Sequence, residues 1–424
     1  MTRQRTKLAA AILALSAPAF ALETTVGIRV ESTHTDNVTR AQDNEISEIT
    51  YQPGVNIAVE HQGPSIRANA RYDYERRIRT EEVFDDDSAL TGTSTVVWQA
   101  IPGRLDFTVN NTRTETTVNG QQGDLPNNVQ VTDSTRAGPT LRFRVRRNDE
   151  LQLQYFYTQT HADIANTNST RHIGSVGYVM NVGQNDQVVF NVANNQVDFG
   201  NAGSPDLDAL TSSVQWRRFG PNIDFSLLGG YTSMDRTLGR KTIQNGVYDA
   251  RLTWRMTPQT SLTVAAVKEL RDRPAVLELG ILPFGTNNQI DSDLNEVFLN
   301  DRAEIELRTV VFSNEFTLSL MYDKQDYIDL LEDLERTTAA IGWRRRLSPK
   351  LTAGIQASYR QEKLLDVNAP TEDRFGAEVS LGYNYNRRLS LLFTGSHNSV
   401  DTPITIQAYD ENLYSLRVNY LLLE

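Results

Sequence analysis

The chain has 424 residues, 39% of them hydrophobic, and a formal net charge of −11. It has no cysteine, which excludes disulfides, thiolate metal sites and cysteine nucleophiles and suits passage through an oxidising compartment. Of 42 basic residues only six are lysines, and no basic domain stands out, so nucleic acid is excluded as a partner.

Residues 1–21 read as a secretory signal. Arg3, Arg5 and Lys7 form the positive start, residues 8–17 the apolar run, and Ala19-Phe20-Ala21 the small-x-small cleavage site. The run is short for a spanning helix, which needs about 20 residues. The mature chain is expected to begin at Leu22 and to carry a charge of −14.

From there, apolar and polar residues alternate with period two, the pattern of strands with one apolar face. Val26, Ile28 and Val30 come first, then Val55, Ile57 and Val59, then Ile66, Ala68, Ala70, Tyr72 and Tyr74. Further sets include Leu105, Phe107 and Val109; Leu141, Phe143 and Val145; and Val188, Phe190 and Val192. Ile223, Phe225 and Leu227 follow, then Leu351, Ala353 and Ile355, and finally Tyr414, Leu416, Val418 and Tyr420. About twenty strands are predicted over residues 22–424. Short turns such as Gln62-Gly63-Pro64, Pro102-Gly103, Thr257-Pro258-Gln259 and Ser348-Pro349 alternate with longer, often acidic stretches at 81–88, 120–132, 272–291 and 363–372. This rhythm predicts an all-β fold: one closed antiparallel outer-membrane β-barrel of 18–22 strands, with short turns periplasmic and long loops outside.

Trp98, Trp216, Trp254 and Trp343 each fall a few residues before a short turn, on the apolar face. They are expected to form a membrane-interface girdle at one end. The opposite face is charged. Arg67, Arg71, Arg142, Arg144, Arg146, Arg251, Arg255, Arg302, Glu304, Glu306, Arg308, Arg344, Arg346 and Arg360 are the expected pore lining. A water-filled lumen accepts them, whereas a dry core would require nearly all to be paired. The competing reading makes that face the solvated outside of a soluble sandwich.

Chemistry is sparse. His34, His61, His161, His172 and His397 show no metal-ligand spacing and read as solvated strand-end or loop residues. Asp291-Ser292-Asp293-Leu294-Asn295 resembles a calcium loop but has Glu296 where glycine is required. Glu81, Glu82, Asp85, Asp86 and Asp87 form the densest acidic run, a solvated loop or a divalent-cation bridge to lipopolysaccharide. No metal, cofactor or catalytic residue is implied, and no long segment precedes the first strand as a plug.

Several segments resemble the outer-membrane barrels of the putative beta-barrel porin 2 type, including those associated with exopolysaccharide and PEP-CTERM gene clusters. They are the opening strand Thr24-Thr25-Val26-Gly27-Ile28-Arg29-Val30-Glu31 with Thr35-Asp36-Asn37-Val38, then Tyr51-Gln52-Pro53-Gly54-Val55, and the closing Tyr414-Ser415-Leu416-Arg417-Val418-Asn419-Tyr420. The resemblance implies an outer-membrane porin, with a polysaccharide export channel as its specialised form. Its partners would be outer-membrane lipid and lipopolysaccharide, polysaccharide and periplasmic export proteins. The alternatives are a general diffusion porin, an outer-membrane enzyme and a surface adhesin.

Overall fold

The computed structural model describes residues 22–117, 125–163, 168–200, 206–237, 242–272, 297–328, 333–365, 371–402 and 408–423. The expected signal sequence and the calcium-like segment at 291–296 lie outside the described residues.

Twenty strands follow in order. They are β1 (Leu22–Thr35), β2 (Glu48–Gln62), β3 (Ile66–Arg79), β4 (Asp87–Ile101), β5 (Leu105–Thr117), β6 (Val129–Arg144), β7 (Asp149–Ala162), β8 (Ser169–Asn181), β9 (Asp186–Phe199) and β10 (Leu207–Arg218). Then come β11 (Ile223–Arg236), β12 (Ile243–Thr257), β13 (Thr260–Asp272), β14 (Val297–Val311), β15 (Asn314–Tyr327), β16 (Leu334–Arg346), β17 (Leu351–Leu364), β18 (Glu372–Asn384), β19 (Leu389–Asp401) and β20 (Tyr409–Leu423). Each pairs antiparallel with its sequence neighbours, and β1 pairs with β20, so the sheet closes and no edge is left. Closure satisfies the backbone polar groups strand to strand, the condition for a sheet in an apolar solvent.

Nine connections of two to four residues alternate with ten of six to twenty-four, so all the short turns gather at one end. The two ends differ in charge. By sequence, the short connections hold six basic side chains and no acidic one, while the long connections hold eighteen acidic and four basic.

The strand faces separate as the alternation requires. Among the described residues, 55 large apolar side chains are exposed and only fifteen hydrophobic ones are buried, the reverse of a water-soluble domain. Partners in neighbouring strands carry the apolar face around the wall, as in Ile57 beside Tyr72, Val264 beside Ile305 and Ile355 beside Val379. Phe143, Leu227 and Ile355 are among the exposed residues on this face.

The residues that carried the family resemblance form the seam where the barrel closes. Glu31 pairs with Arg417 across β1 and β20 at 2.8 Å. Above them, Thr35 Oγ1 donates to Glu411 Oε1 at 2.8 Å. Asp36 accepts from the backbone and side-chain nitrogens of Asn412 at 2.8 and 2.7 Å. Asn37 is completely buried. Its Nδ2 donates to the carbonyls of Ala41 and Asp410, both at 2.8 Å, and its Oδ1 accepts from Ala41 N at 3.0 Å. Gly54 has a related role: a Cβ there would stand 2.8 Å from the Tyr74 carbonyl and 3.6 Å from Arg29 Nε. Its absence lets Arg29 of β1 cross β2 and reach Glu75 of β3 at 2.5 Å.

Candidate functional site: a charged lumen with a constricted mouth

The expected lining residues sit on the register opposite the exposed apolar ones; nearer the long connections the outward register itself becomes polar, as at Arg113, Asp133, Lys268 and Asp301. Arg67 and Arg71 of β3 alternate with Ala68, Ala70 and Tyr72, and Arg251 and Arg255 of β12 with Leu252 and Trp254. Arg142 and Arg144 of β6, Arg302, Glu304, Glu306 and Arg308 of β14, Arg344 and Arg346 of β16, and Arg360 of β17 follow the same rule. Arg146 differs from expectation. β6 ends at Arg144, and the turn closes where Val145 N and Arg146 N both face the Asp149 carbonyl, at 3.0 and 3.4 Å. Arg146 and Val145 therefore belong to the rim, not to the wall.

Five of the twelve arginines are neutralised locally. Arg142 is bound to Asp106 and lies 3.8 Å from Glu150. Arg255 holds Asp224, Arg302 meets Glu304 at 2.6 Å, and Arg308 meets Glu315 at 2.7 Å. Arg360 shares Glu362 with Arg336, the latter at 2.9 Å. The others stand apart: Arg67, Arg71, Arg144, Arg146, Arg251, Arg344 and Arg346 have no carboxylate within 4.0 Å among the described residues. Unpaired guanidinium groups over a low-dielectric wall focus a positive field on whatever water fills the lumen.

A recess of about 470 Å³ is set into the wall over β14–β18. Small side chains make its floor (Thr317, Ser319, Gly342, Gly354 and Ser380), and Glu306, Arg344 and Glu378 stand at its border. Cβ atoms at Gly342 and Gly354 would come within 2.5 Å of Thr317 Oγ1 and 2.7 Å of Ser380 Oγ, so both glycines keep the recess open.

The four tryptophans lie at the short-turn end. Trp98 stacks on Phe107 with ring centroids 5.5 Å apart, and Trp216 meets Phe225 edge-on at 5.4 Å. The indole N–H of Trp216 donates to Asp186 and that of Trp343 to Asn314, each at 3.2 Å. Each of these two indoles thus ties its apolar ring to a polar group at the start of a neighbouring strand. Trp254 sits opposite Ile223 and Leu262 on the same level.

The long-connection end holds a feature that alternation did not reveal. Arg171 of β8 is paired with Asp272 of β13, both almost completely buried. On a round wall built at the usual strand spacing and tilt, roughly 40 Å across, groups five strands apart would be roughly 28 Å from each other. Asp272 pairs in register with Val297, on the parity that places Val264 and Ile305 outside, yet both are buried. Val297 packs with Val197 and Phe199 of β9, Leu207 and Ala209 of β10, and Met234 of β11. The β13–β14 tip therefore leaves the wall, leans across the mouth and is held on the inner face of β8–β11. The sequence signal was faint: Val197 and Phe199 occupy the inward parity of a strand whose outward residues are Phe190 and Val192.

Other expectations shift in detail. His34 and His161 are exposed at strand ends, as expected, whereas His61 is buried at the end of β2 and His172 and His397 lie farther inside their strands. His397 faces Asn412, and His172 faces Tyr155. The acidic run is engaged at one end: Asp86 accepts from Arg79 N at 3.0 Å and Asp87 lies 3.5 Å from both Arg77 and Arg79, while Glu81, Glu82 and Asp85 are exposed.

No protein-family model matches the chain, and no curated protein does. Among solved structures, the FrpB iron transporter of Neisseria meningitidis in its apoprotein form is similar over 94% of this chain and 81% of its own, with a TM-score of 0.51 and 8% identity. OccK2 of Pseudomonas aeruginosa in complex with glucuronate matches 95% and 99% of the two chains, at a TM-score of 0.44 and 9% identity. The outer membrane protein OpdK of the same species matches 95% and 100%, at 0.42 and 8%. At such identity the likeness concerns the fold, which is that of outer-membrane β-barrels.

Proposed function

We propose that the chain is an outer-membrane channel for hydrophilic solutes, exported by its signal sequence and acting without catalysis. The observation that carries this reading is the division of the wall. An apolar band around the half nearer the short turns lies outside, where lipid and lipopolysaccharide would cover it, and an inner face of arginines and carboxylates is usable only in contact with water. The tryptophans at the short-turn end fit the depth of a membrane interface.

The finer reading is a conduit for an acidic or highly hydroxylated polymer, such as an exopolysaccharide delivered by periplasmic export proteins. The unpaired arginines support it, since guanidinium binds carboxylate in a bidentate fork. The local pairing of the other five supports the second reading, a general diffusion porin. Swelling of proteoliposomes in a neutral sugar and in a sugar acid of equal size separates them. The finer reading expects faster entry of the acid and loss of that preference when Arg67, Arg251 and Arg344 are changed to Gln. Equal entry of both favours the general porin, and no swelling refutes the channel.

A further inference from the structure

We infer that the short-turn rim is a docking ring for a linear polyanion, captured on the periplasmic side and fed into the lumen; the feeding step rests on the channel reading above. The chain as a whole is acidic, yet the nine short connections carry only basic charge, while the ten long ones carry eighteen of the acids. Strand ends extend this rim. Arg146, Arg147, Arg345, Arg346, Arg387 and Arg388 are all exposed, and none has a carboxylate within 4.0 Å among the described residues. The acids nearby are already engaged: Asp106 with Arg142, Asp224 with Arg255, Asp186 with Trp216, and Asp149 with the Tyr178 hydroxyl. Asp149 and Asp186 accept from neutral donors and keep their charge, so the rim field is a positive excess set by the six basic side chains of the turns and the arginines at the strand ends.

The arrangement favours a long ligand over a small ion. The β6–β7 and β16–β17 turns, with Arg146 and Arg147 on one and Arg345, Arg346 and Lys350 at the other, are ten strands apart on a ring of twenty and face each other across the mouth. A small anion reaches one cluster, whereas a polymer reaches both and gains by multivalency. The arrangement also favours a thread over a folded acidic protein. Unpaired arginines continue inward at Arg144, Arg344 and Arg251, where a chain can follow and a globular surface cannot.

Binding of a fluorescent linear polyuronate to the full-length barrel in lipid nanodiscs tests the rim, with neutral dextran of equal length as control. The polyuronate should bind and dextran should not, with affinity falling steeply as salt rises. Changing Arg345, Arg346, Arg387 and Arg388 to Gln should weaken binding at least tenfold, while the four Lys variants should stay within threefold; tryptophan emission confirms that each is folded. In oriented planar bilayers the polymer should block current from the short-turn side at least tenfold more effectively than from the other. Binding no stronger than dextran, or unchanged by the Gln variants, overturns the docking ring, as does capture of an acidic protein while the polyuronate is ignored. Binding with symmetrical or absent block in a conducting barrel overturns the feeding step. Intact binding by a barrel that never conducts refutes the channel reading and leaves the docking ring supported.

Discussion

Asn37 is the residue whose loss should most directly open the seam. Its side chain makes three hydrogen bonds of 2.8 to 3.0 Å at a site with no solvent exposure, joining the 37–41 turn to the start of β20. Asn37→Ala removes all three and orphans Ala41 N–H and the Asp410 carbonyl. At a net 0.5–1.5 kcal/mol per bond, with orphaned buried groups adding to it, the cost is about 2–4 kcal/mol. Urea-dependent folding into phospholipid vesicles, followed by tryptophan emission, measures it. Hydrogen exchange then locates it, with faster exchange in β1 and β20 and no change in β9–β12. A loss below about 0.5 kcal/mol, or exchange raised evenly around the barrel, would refute the clasp. The neighbouring Asp36 gives the clasp a pH dependence. Burial alone would raise its carboxyl, but the hydrogen bonds from Asn412 outweigh that and hold it below the usual value of 3.8. A carboxyl depressed in the folded state lends stability above its unfolded value and loses it as pH falls through the folded one. The seam should therefore loosen below about pH 3.8, and Asp36→Asn should remove that dependence.

Three further outcomes follow from the wall. Ile305→Arg, at an exposed apolar site well inside β14, should cost about 2–4 kcal/mol in the same folding assay, whereas Glu306→Gln on the opposite face should cost well under half of that; equal losses would contradict the register. Asp272→Ala should release the β13–β14 tip from Arg171 and raise channel conductance, and the Arg171→Asp, Asp272→Arg exchange should restore it; unchanged conductance would mean the tip does not limit flow. Cysteines placed at Asp86 and Arg387 should be labelled in intact cells only at Asp86, and the reverse would invert the two ends. Gly63 is unsuited to that test, because a Cβ there would sit 2.6 Å from His61 Nε2.

Much of the wall was legible in the sequence because a strand in a barrel has two faces and one period. Ile355 and Arg360 declare their sides by parity alone, and the turns at Pro102-Gly103 and Pro258-Gln259 mark where the chain reverses. Parity fails at strand ends, where turn hydrogen bonds take over, which is why Arg146 belongs to the rim. It fails again at Asp272 and Val297, where a hairpin leaves the wall and its outward residues become buried. Pairing was also beyond reach of the pattern. That Arg142 has Asp106 while Arg251 stands alone depends on which strand lies alongside, and alternation is silent about neighbours. The Thr35-Asp36-Asn37 segment stood out as a resemblance, and its reason, a clasp onto β20, needed the closed ring to become visible.

The most direct measurement is a single-channel recording of the mature chain in a planar bilayer under a potassium chloride gradient. The account predicts open-channel current whose reversal potential lies on the anion side, moving towards cations when Arg67, Arg71, Arg144, Arg251 and Arg344 are replaced by Gln in a barrel that still folds. Absence of any conductance, or a reversal potential indifferent to those five residues, would contradict it.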